Sequence, residues 1–307
     1  MRCCICHSEN HSFHIETGPM MVDVNKDRNY RFLLCNHCDS VFLENPIDEQ
    51  DLSAFYSDYY LPYRGEKAWG KYAGIVRRQD HLLNLKKFNL VAKHLYLKNQ
   101  PQVKILDIGC GKPDFLYEFK QQTNAECFGI DFKSAQWDNP KYAGINLSEE
   151  SVGQFNSTER FDVITAWHYL EHDYDPVLTI NKCYEHLKPG GLVIIEVPMY
   201  QGLLAKIQKK YWQGWHTPRH INLFSFKSWD FLFPKSKWKI VDHQKYGTLD
   251  PFILWWLGKA EKNNIIWNTD FDQHFFTLAL LKCLTWPLFV LEKYIPLGIQ
   301  TVIVEKK

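Results

Sequence analysis

The chain changes character near residue 103. A short apolar segment, Val103 to Ile108, runs straight into Gly109-Cys110-Gly111. A strand that breaks on two glycines leaves a loop nearly free of Cβ atoms. A ligand can then press against the backbone and the N-terminus of the helix that follows. Asp107 lies near the strand's carboxyl end, where a carboxylate suits a cationic or hydrogen-bond-donating group such as an amino acid ammonium. Beyond this point strand-like and helix-like runs alternate. The pattern predicts strands over 103–108, 126–131, 142–146, 161–167 and 192–197. It predicts helices over 114–122 and 175–187, the second capped by Asp175 with Pro176 in its first turn. Alternation of this kind specifies an α/β fold with a parallel sheet covered on both faces. Such a sheet binds its ligands outside the carboxyl ends of its strands.

The rest of the composition narrows the options. With 307 residues the chain can bury one large core or two smaller ones. Its 36 basic and 35 acidic side chains create no global field for nucleic acid or an anionic membrane, so no nucleic-acid partner is expected. The first residues, Met-Arg-Cys-Cys-Ile-Cys, have no apolar core of a secretory signal, and a cytoplasmic location, with membrane association left open, is the expectation. Two Cys-x-x-Cys pairs, Cys3/Cys6 and Cys35/Cys38, can present four thiolates to one ion. The reading is a zinc-ribbon-like domain over residues 1–45 with a closed, structural zinc site. Cys4 could replace Cys3 in another register, and His7 and His37 are further substitutes. The competing reading is a set of free thiols.

The motifs then point to a family. A dinucleotide-binding turn carries Gly-x-Gly-x-x-Gly, but Asp114 stands where the third glycine belongs. Residues 105–111 instead resemble motif I of class I S-adenosylmethionine (SAM) methyltransferases, with Pro113 at the last glycine position. Asp131, 24 residues after Asp107, ends the second strand and can accept hydrogen bonds from ribose hydroxyls. Phe161 to His172 followed by Asp175-Pro176 resembles motif IV, and Leu187-Lys-Pro-Gly-Gly191 resembles the turn that follows. The markers keep their order over roughly 90 residues. Residues 41–46 and 55–60 resemble the N-terminus of a bacterial methyltransferase group with a cysteine ribbon, active on polysaccharides, sugars or secondary metabolites.

The resemblance implies a Rossmann-like seven-stranded sheet and SAM as cofactor. It implies binding residues Asp107, Gly109, Cys110, Gly111, Asp131, Phe132, Leu147, Trp167 and His168. Trp167 and His168 would flank the methionine and sulfonium, and Leu147 the adenine. Residues 46–100 form a helical linker, either packed on the main domain or acting as a lid through Tyr59, Tyr60 or Tyr72. The SAM domain covers 101–248 and is completed by a last strand within 299–307.

Residues 249–298 form an apolar helical insertion whose two apolar segments read as too short or too interrupted for a membrane span, Lys282 and Pro287 breaking the second. It either covers a sheet edge or a dimer surface, or meets a membrane through residues 250–292 or a lipid-linked substrate. Residues 211–226 are the expected acceptor region. Pro218, His220, Phe224 and Ser225 match a segment of the resembled group, and His216, Arg219 and His220 are candidate base or anion holders. Lys206, Lys209 and Lys210 read as a solvated face rather than an RNA or phosphate site. The function read from these features is methyl transfer from SAM to a small-molecule, sugar or lipid-linked acceptor. His172, His216 and His220 are the candidate bases, with Glu171 a weaker one. Two rivals are a nicotinamide-dependent oxidoreductase and a zinc-ribbon adaptor with a degenerate SAM fold.

Overall fold

Three short strands open the chain: β1 (His11–Thr17), β2 (Tyr30–Cys35) and β3 (Val41–Leu43). A 3-10 stretch, Gly65–Tyr72, kinked at Gly70, leads into α1 (Ala73–Tyr96). The alternating region follows as β4 (Lys104–Ile108), α2 (Asp114–Gln122), β5 (Glu126–Asp131), β6 (Asn146–Glu149), β7 (Phe161–Trp167), α3 (Pro176–His186) and β8 (Leu187–Pro198). Then come α4 (Leu203–Gln208), β9 (Asn222–Leu223), α5 (Phe226–Leu232), β10 (Trp238–Gln244), α6 (Pro251–Lys262), α7 (Phe275–Val290) and β11 (Ile299–Lys306). This is a computed structural model, and it describes residues 1–22, 28–48, 51, 55–56, 61–96 and 103–307. Of the expected helical linker over 46–100, residues 49–50, 52–54, 57–60 and 97–100, with the lid tyrosines Tyr59 and Tyr60, lie outside the described residues.

The chain divides into two compact units. One comprises Met1–Asp80, Pro198–Ser228 and Lys245–Gln300, and the other His81–Val197, Trp229–Gln244 and Thr301–Lys307. The second unit is built on a seven-stranded sheet ordered β10-β11-β8-β7-β4-β5-β6. The inner pairs are parallel, with Asp107 of β4 opposite Gly129 of β5 and Thr165 of β7. The β10–β11 pair is antiparallel. From β4 the chain steps outward through β5 and β6, then returns to place β7 on the other side. The carboxyl ends of β4 and β7 therefore flank the reversal point where open α/β sheets hold their ligands. Every residue of β7 is buried, as a strand covered on both faces must be. Phe115, Leu116 and Phe119 of α2 and Phe88 and Val91 of α1 join Ile105, Cys127 and Val163 in one core. Burying a side chain such as Phe119 stabilises by about 2 kcal/mol.

Three expectations need correction. The strand expected at 142–146 lies at Asn146–Glu149. The Asn139 side chain accepts from the Lys141 amide and starts a 3-10 turn, Pro140–Tyr142, that consumes the earlier residues. Strand β8 begins at Leu187 rather than Leu192, because Leu187 already pairs with Phe161 before the register shifts at Val163. Lys282 and Pro287 do not interrupt α7, so the expectation that this segment is too broken to be long and apolar enough for a membrane span fails. Lys282 is neutralised by an ion pair with Asp250, the N-cap of α6.

The first unit holds a four-stranded antiparallel sheet ordered β1-β2-β3-β9. Its apolar core gathers Phe252, Trp256 and Ala260 of α6 with Ala68, Trp267, Phe271 and Leu278. Tyr72, a candidate lid residue, stacks on Phe275 of α7 at 4.0 Å between ring centroids. Asp272–Lys293 is, among the described residues, the one helical stretch long and apolar enough to cross a membrane, with a mean hydropathy of 1.6 and only 6% of it buried.

Candidate functional site

The turn after β4 is built from the bottom by its glycines. Gly109 has φ +68°, and a Cβ there would stand 2.4 Å from Cδ2 of Tyr169. Only glycine meets both conditions. Gly111 has φ +47° with open space where its Cβ would point, so this position leaves room on the ligand side. The amides of Gly109 and Cys110 donate to the Ile130 carbonyl and tie the turn to β5. Pro113 precedes α2 and leaves its first turn short of no needed donor.

Two carboxylates face this turn from adjacent parallel strands. Asp131, at the end of β5, accepts from the Gly111 amide at 2.8 Å and from the Lys133 amide at 3.3 Å. A carboxylate has about four lone-pair positions, so it can still accept from a diol. Burial pushes its acid up, and the three backbone amides around it pull the other way. Asp107 is 3% exposed and accepts from the Thr165 hydroxyl at 2.6 Å. Burial pushes its pKa up to about 7, against the pull of Thr165 and of Lys87. A cationic partner beside this carboxyl would favour its ionised form, with the proton released to solvent.

Trp167 ends β7, buried, with its indole N–H unpaired in the structure. Lys87 Nζ sits 5.2 Å above its ring, and Phe115 meets it edge-on. His168 follows in a left-handed turn at φ +54°. Its Nε2 lies 3.2 Å from Glu196 and its Nδ1 3.3 Å from Glu171. Phe132 is 54% exposed, as a flat apolar cover for a nucleobase would be. Cys110 is buried and its thiol is held neutral, chiefly by burial, so it contributes backbone rather than chemistry. Leu147 is half-buried on β6 and also lines a cavity of about 370 Å³ with Phe128, Ile145 and Phe155. That cavity shares only Leu147 with the predicted set.

The sequence reading missed Thr165, Tyr169, Trp137 and Glu196. Trp137 donates its indole N–H to the Gly111 carbonyl at 2.7 Å and covers the glycine turn. Nothing in the spacing of Trp137 marks it, since it is fixed by a contact 26 residues back. Thr165 carried a weak signal, as a hydroxyl in an otherwise apolar strand.

In the other unit Cys3, Cys6, Cys35 and Cys38 converge, all four sulfurs within 4.8 Å of one another. Cys3 and Cys38 are 3.6 Å apart, and Cys6 and Cys35 3.4 Å. These gaps are far too long for a disulfide. They approach the roughly 3.8 Å edge of a tetrahedron with zinc–sulfur bonds of about 2.3 Å. The donor set therefore fits a closed zinc site. Cys4 is not one of the four converging thiols: its own thiol donates to Asn222 Oδ1 at 3.0 Å. Strand β9 supplies that asparagine and pairs with β3.

Residues 211–226 belong to the same unit as the cysteines. Arg219 is fully buried, and its guanidinium donates to the carbonyls of Met20, Met21 and Phe55. It is a structural clamp, and its candidacy as an anion holder fails on that geometry. His216 and His220 have ring centroids 4.9 Å apart. His220 Nδ1 lies 2.8 Å from the Gly214 carbonyl and must donate to it, which makes Nε2 the basic nitrogen of the neutral ring. His172, half-buried, lies in the sheet unit, where its amide donates to the Tyr169 carbonyl. Lys206, Lys209 and Lys210 are exposed.

A family model described as a methyltransferase domain matches residues 77–243, more than half of the chain. The chain is 31% identical over 121 residues to a ubiquinone biosynthesis O-methyltransferase of Stutzerimonas stutzeri, covering 37% of this chain and 50% of that protein. It is 29% identical over 164 residues to the same-named protein of Haemophilus ducreyi, covering 48% and 64%. The chain thus spans between half and just under two thirds of the length of these curated relatives. Among solved structures it aligns with 1,6-didemethyltoxoflavin-N1-methyltransferase of Burkholderia thailandensis, with bound 1,6-didemethyltoxoflavin and S-adenosylhomocysteine. That alignment has 13% identity and a TM-score of 0.50, over 95% of this chain and 100% of that one. At such identity the likeness shows the fold alone.

Proposed function

The chain belongs to the methyltransferase family, and from that premise we propose that it transfers a methyl group from SAM to an oxygen of a small-molecule acceptor. The observation that carries this reading is the Gly109–Gly111 turn, open on one side and set beside the Asp131 carboxylate. When bound, SAM supplies an electrophilic methyl group on a sulfonium, and the protein's part is alignment. Asp131 would accept from the ribose diol, Asp107 would hold the ammonium, and Phe132 and Leu147 would cover the adenine. Gly109, Cys110 and Gly111 would offer backbone, and Trp167 and His168 would line the methionine side.

The oxygen acceptor is favoured by the two curated relatives, both of them O-methyltransferases by name. An oxygen nucleophile needs its proton removed, which gives the candidate bases His172, His216 and His220 a task. His220 is the best prepared, because the Gly214 carbonyl fixes its tautomer. The cysteine cluster holds a structural zinc ion with no open position. The test is S-adenosylhomocysteine (SAH) release from SAM with a panel of phenolic, sugar and lipid-linked hydroxyl acceptors. At least one acceptor should turn over, and His220→Ala should lower turnover with SAM affinity kept. No turnover across the panel despite bound SAM would contradict the oxygen-acceptor reading.

A second reading concerns location. Helix α7 exposes Phe276, Leu280, Leu284, Trp286 and Leu288, each at least 60% accessible. Its internal charge, Lys282, is paired. This supports contact with a bilayer through α7, in line with apolar surface that water penalises. The protein should float with neutral phospholipid vesicles, and Leu280→Glu with Leu284→Glu should abolish flotation. A wild-type protein left at the bottom of the gradient would remove this reading.

A further inference from the structure

The turn after β7 holds more charge than ligand alignment requires. Glu171 and Glu196 are both fully buried, and His168 lies between them at 3.3 and 3.2 Å. Glu196, on β8, also accepts from the Thr301 hydroxyl of β11 at 3.1 Å. Burial alone would push the imidazole down, but the two carboxylates outweigh it and hold its pKa up at about 9. A ring nitrogen of His172 also lies within 4.8 Å of the Glu171 carboxylate, and Lys87 of α1 stands above the neighbouring Trp167. One imidazolium against two carboxylates leaves one formal negative charge in the network.

That charge stands next to the glycine turn. Tyr169, between His168 and Glu171, is the residue that packs on Gly109. The left-handed backbone of His168, unusual outside glycine, is held by the two carboxylates that grip its ring. Buried charge is costly to keep and persists where something opposite offsets it. SAM carries a sulfonium, whereas its product SAH carries a neutral thioether.

We propose that the Glu171–His168–Glu196 network is a charge filter that favours the sulfonium nucleoside over its neutral product, with His168 as the positioning residue that sets the network's charge and geometry. This rests on the reading that SAM is the methyl donor. In a buried setting one unit charge acts over several ångströms with a large effect, so removing it should change discrimination about tenfold.

The test is calorimetric titration of the full chain with SAM and with SAH, for wild type, Glu171→Gln and Glu196→Gln. Each variant should bind SAM about tenfold more weakly while SAH affinity stays within about twofold. A SAM-to-SAH ratio unchanged in both variants, or equal losses for both ligands, would overturn the proposal and mark the network as merely structural. Should the variants fail to fold, nitrogen NMR of His168 in the wild type decides. Both ring nitrogens protonated at pH 7.5 is the expected result, and a neutral ring overturns the proposal. A wild type that binds neither ligand would instead defeat the methyl-donor reading, and the filter with it.

Discussion

The sheet unit and the cysteine-bearing unit reach their sites by opposite routes. In the sheet unit the turn residues, Asp107, Gly109, Gly111 and Asp131, lie within 25 residues of chain and are set by strand pairing between neighbours. In the other unit Arg219 bonds to Met20, 199 residues away, and Thr17 meets Thr217 across 200. Cys4 finds Asn222 across 218. The first site is a product of local pattern, and the second of long-range closure. Loop-closure entropy must be overcome before such distant contacts can stabilise anything. The cysteine unit should therefore depend far more on a cross-link that fixes it, which is the role a zinc ion would play.

The largest effect should separate the two regions outright. Replacing Cys35 and Cys38 by Ser should release the metal, and structural zinc in small domains accounts for on the order of 10 kcal/mol of folding free energy. Zinc by atomic absorption should fall from one per chain to none, with loss of protection in β1 to β3 by hydrogen exchange. Equal zinc in mutant and parent would erase the contrast.

Next comes Gly109→Ala, which meets Tyr169 and a positive φ at once. It should cost more than about 2 kcal/mol in the sheet unit and strip SAM affinity. Normal melting and binding would mean that the turn is not what shapes the crevice.

Asp131→Ala removes a carboxylate that takes charge-assisted bonds. The expected loss is about 10- to 100-fold in SAM affinity with folding retained. Unchanged affinity would move the ribose elsewhere.

The smallest effect is a pH dependence. Asp107 titrates near 7 in the folded chain against about 3.9 unfolded. In the absence of ligand the folded state thus holds the extra proton between these values. Its contribution to stability is lost as pH rises towards 7. A bound ammonium favours the carboxylate, so SAM affinity should climb by less than about tenfold from pH 6 to 8, with a proton released. Calorimetry in two buffers of different ionisation enthalpy reads that proton. The same rise in Asp107→Asn would assign it to another group.

Legibility followed the same divide. The helix at Asp114–Gln122 and the strands at Glu126–Asp131 and Phe161–Trp167 have the predicted bounds, because apolar runs and caps define them locally. The third strand slipped because the Asn139 cap takes residues that an apolar count assigns to the strand. Trp137 and Glu196 stayed hidden, since each owes its place to a partner strands away. Arg219 was misread because three distant carbonyls, invisible along the chain, consume its donors. The four cysteines were legible because their paired spacing needs only one ion to explain it.

The central claim is that the turn between β4 and α2 holds a sulfonium nucleoside. Calorimetric titration of the zinc-loaded chain with SAM tests it most directly. The account predicts saturable binding at one SAM per chain that weakens about 10- to 100-fold in Asp131→Ala, and no heat with NAD. Absence of SAM binding by the folded wild type, or binding indifferent to Asp131, would contradict it.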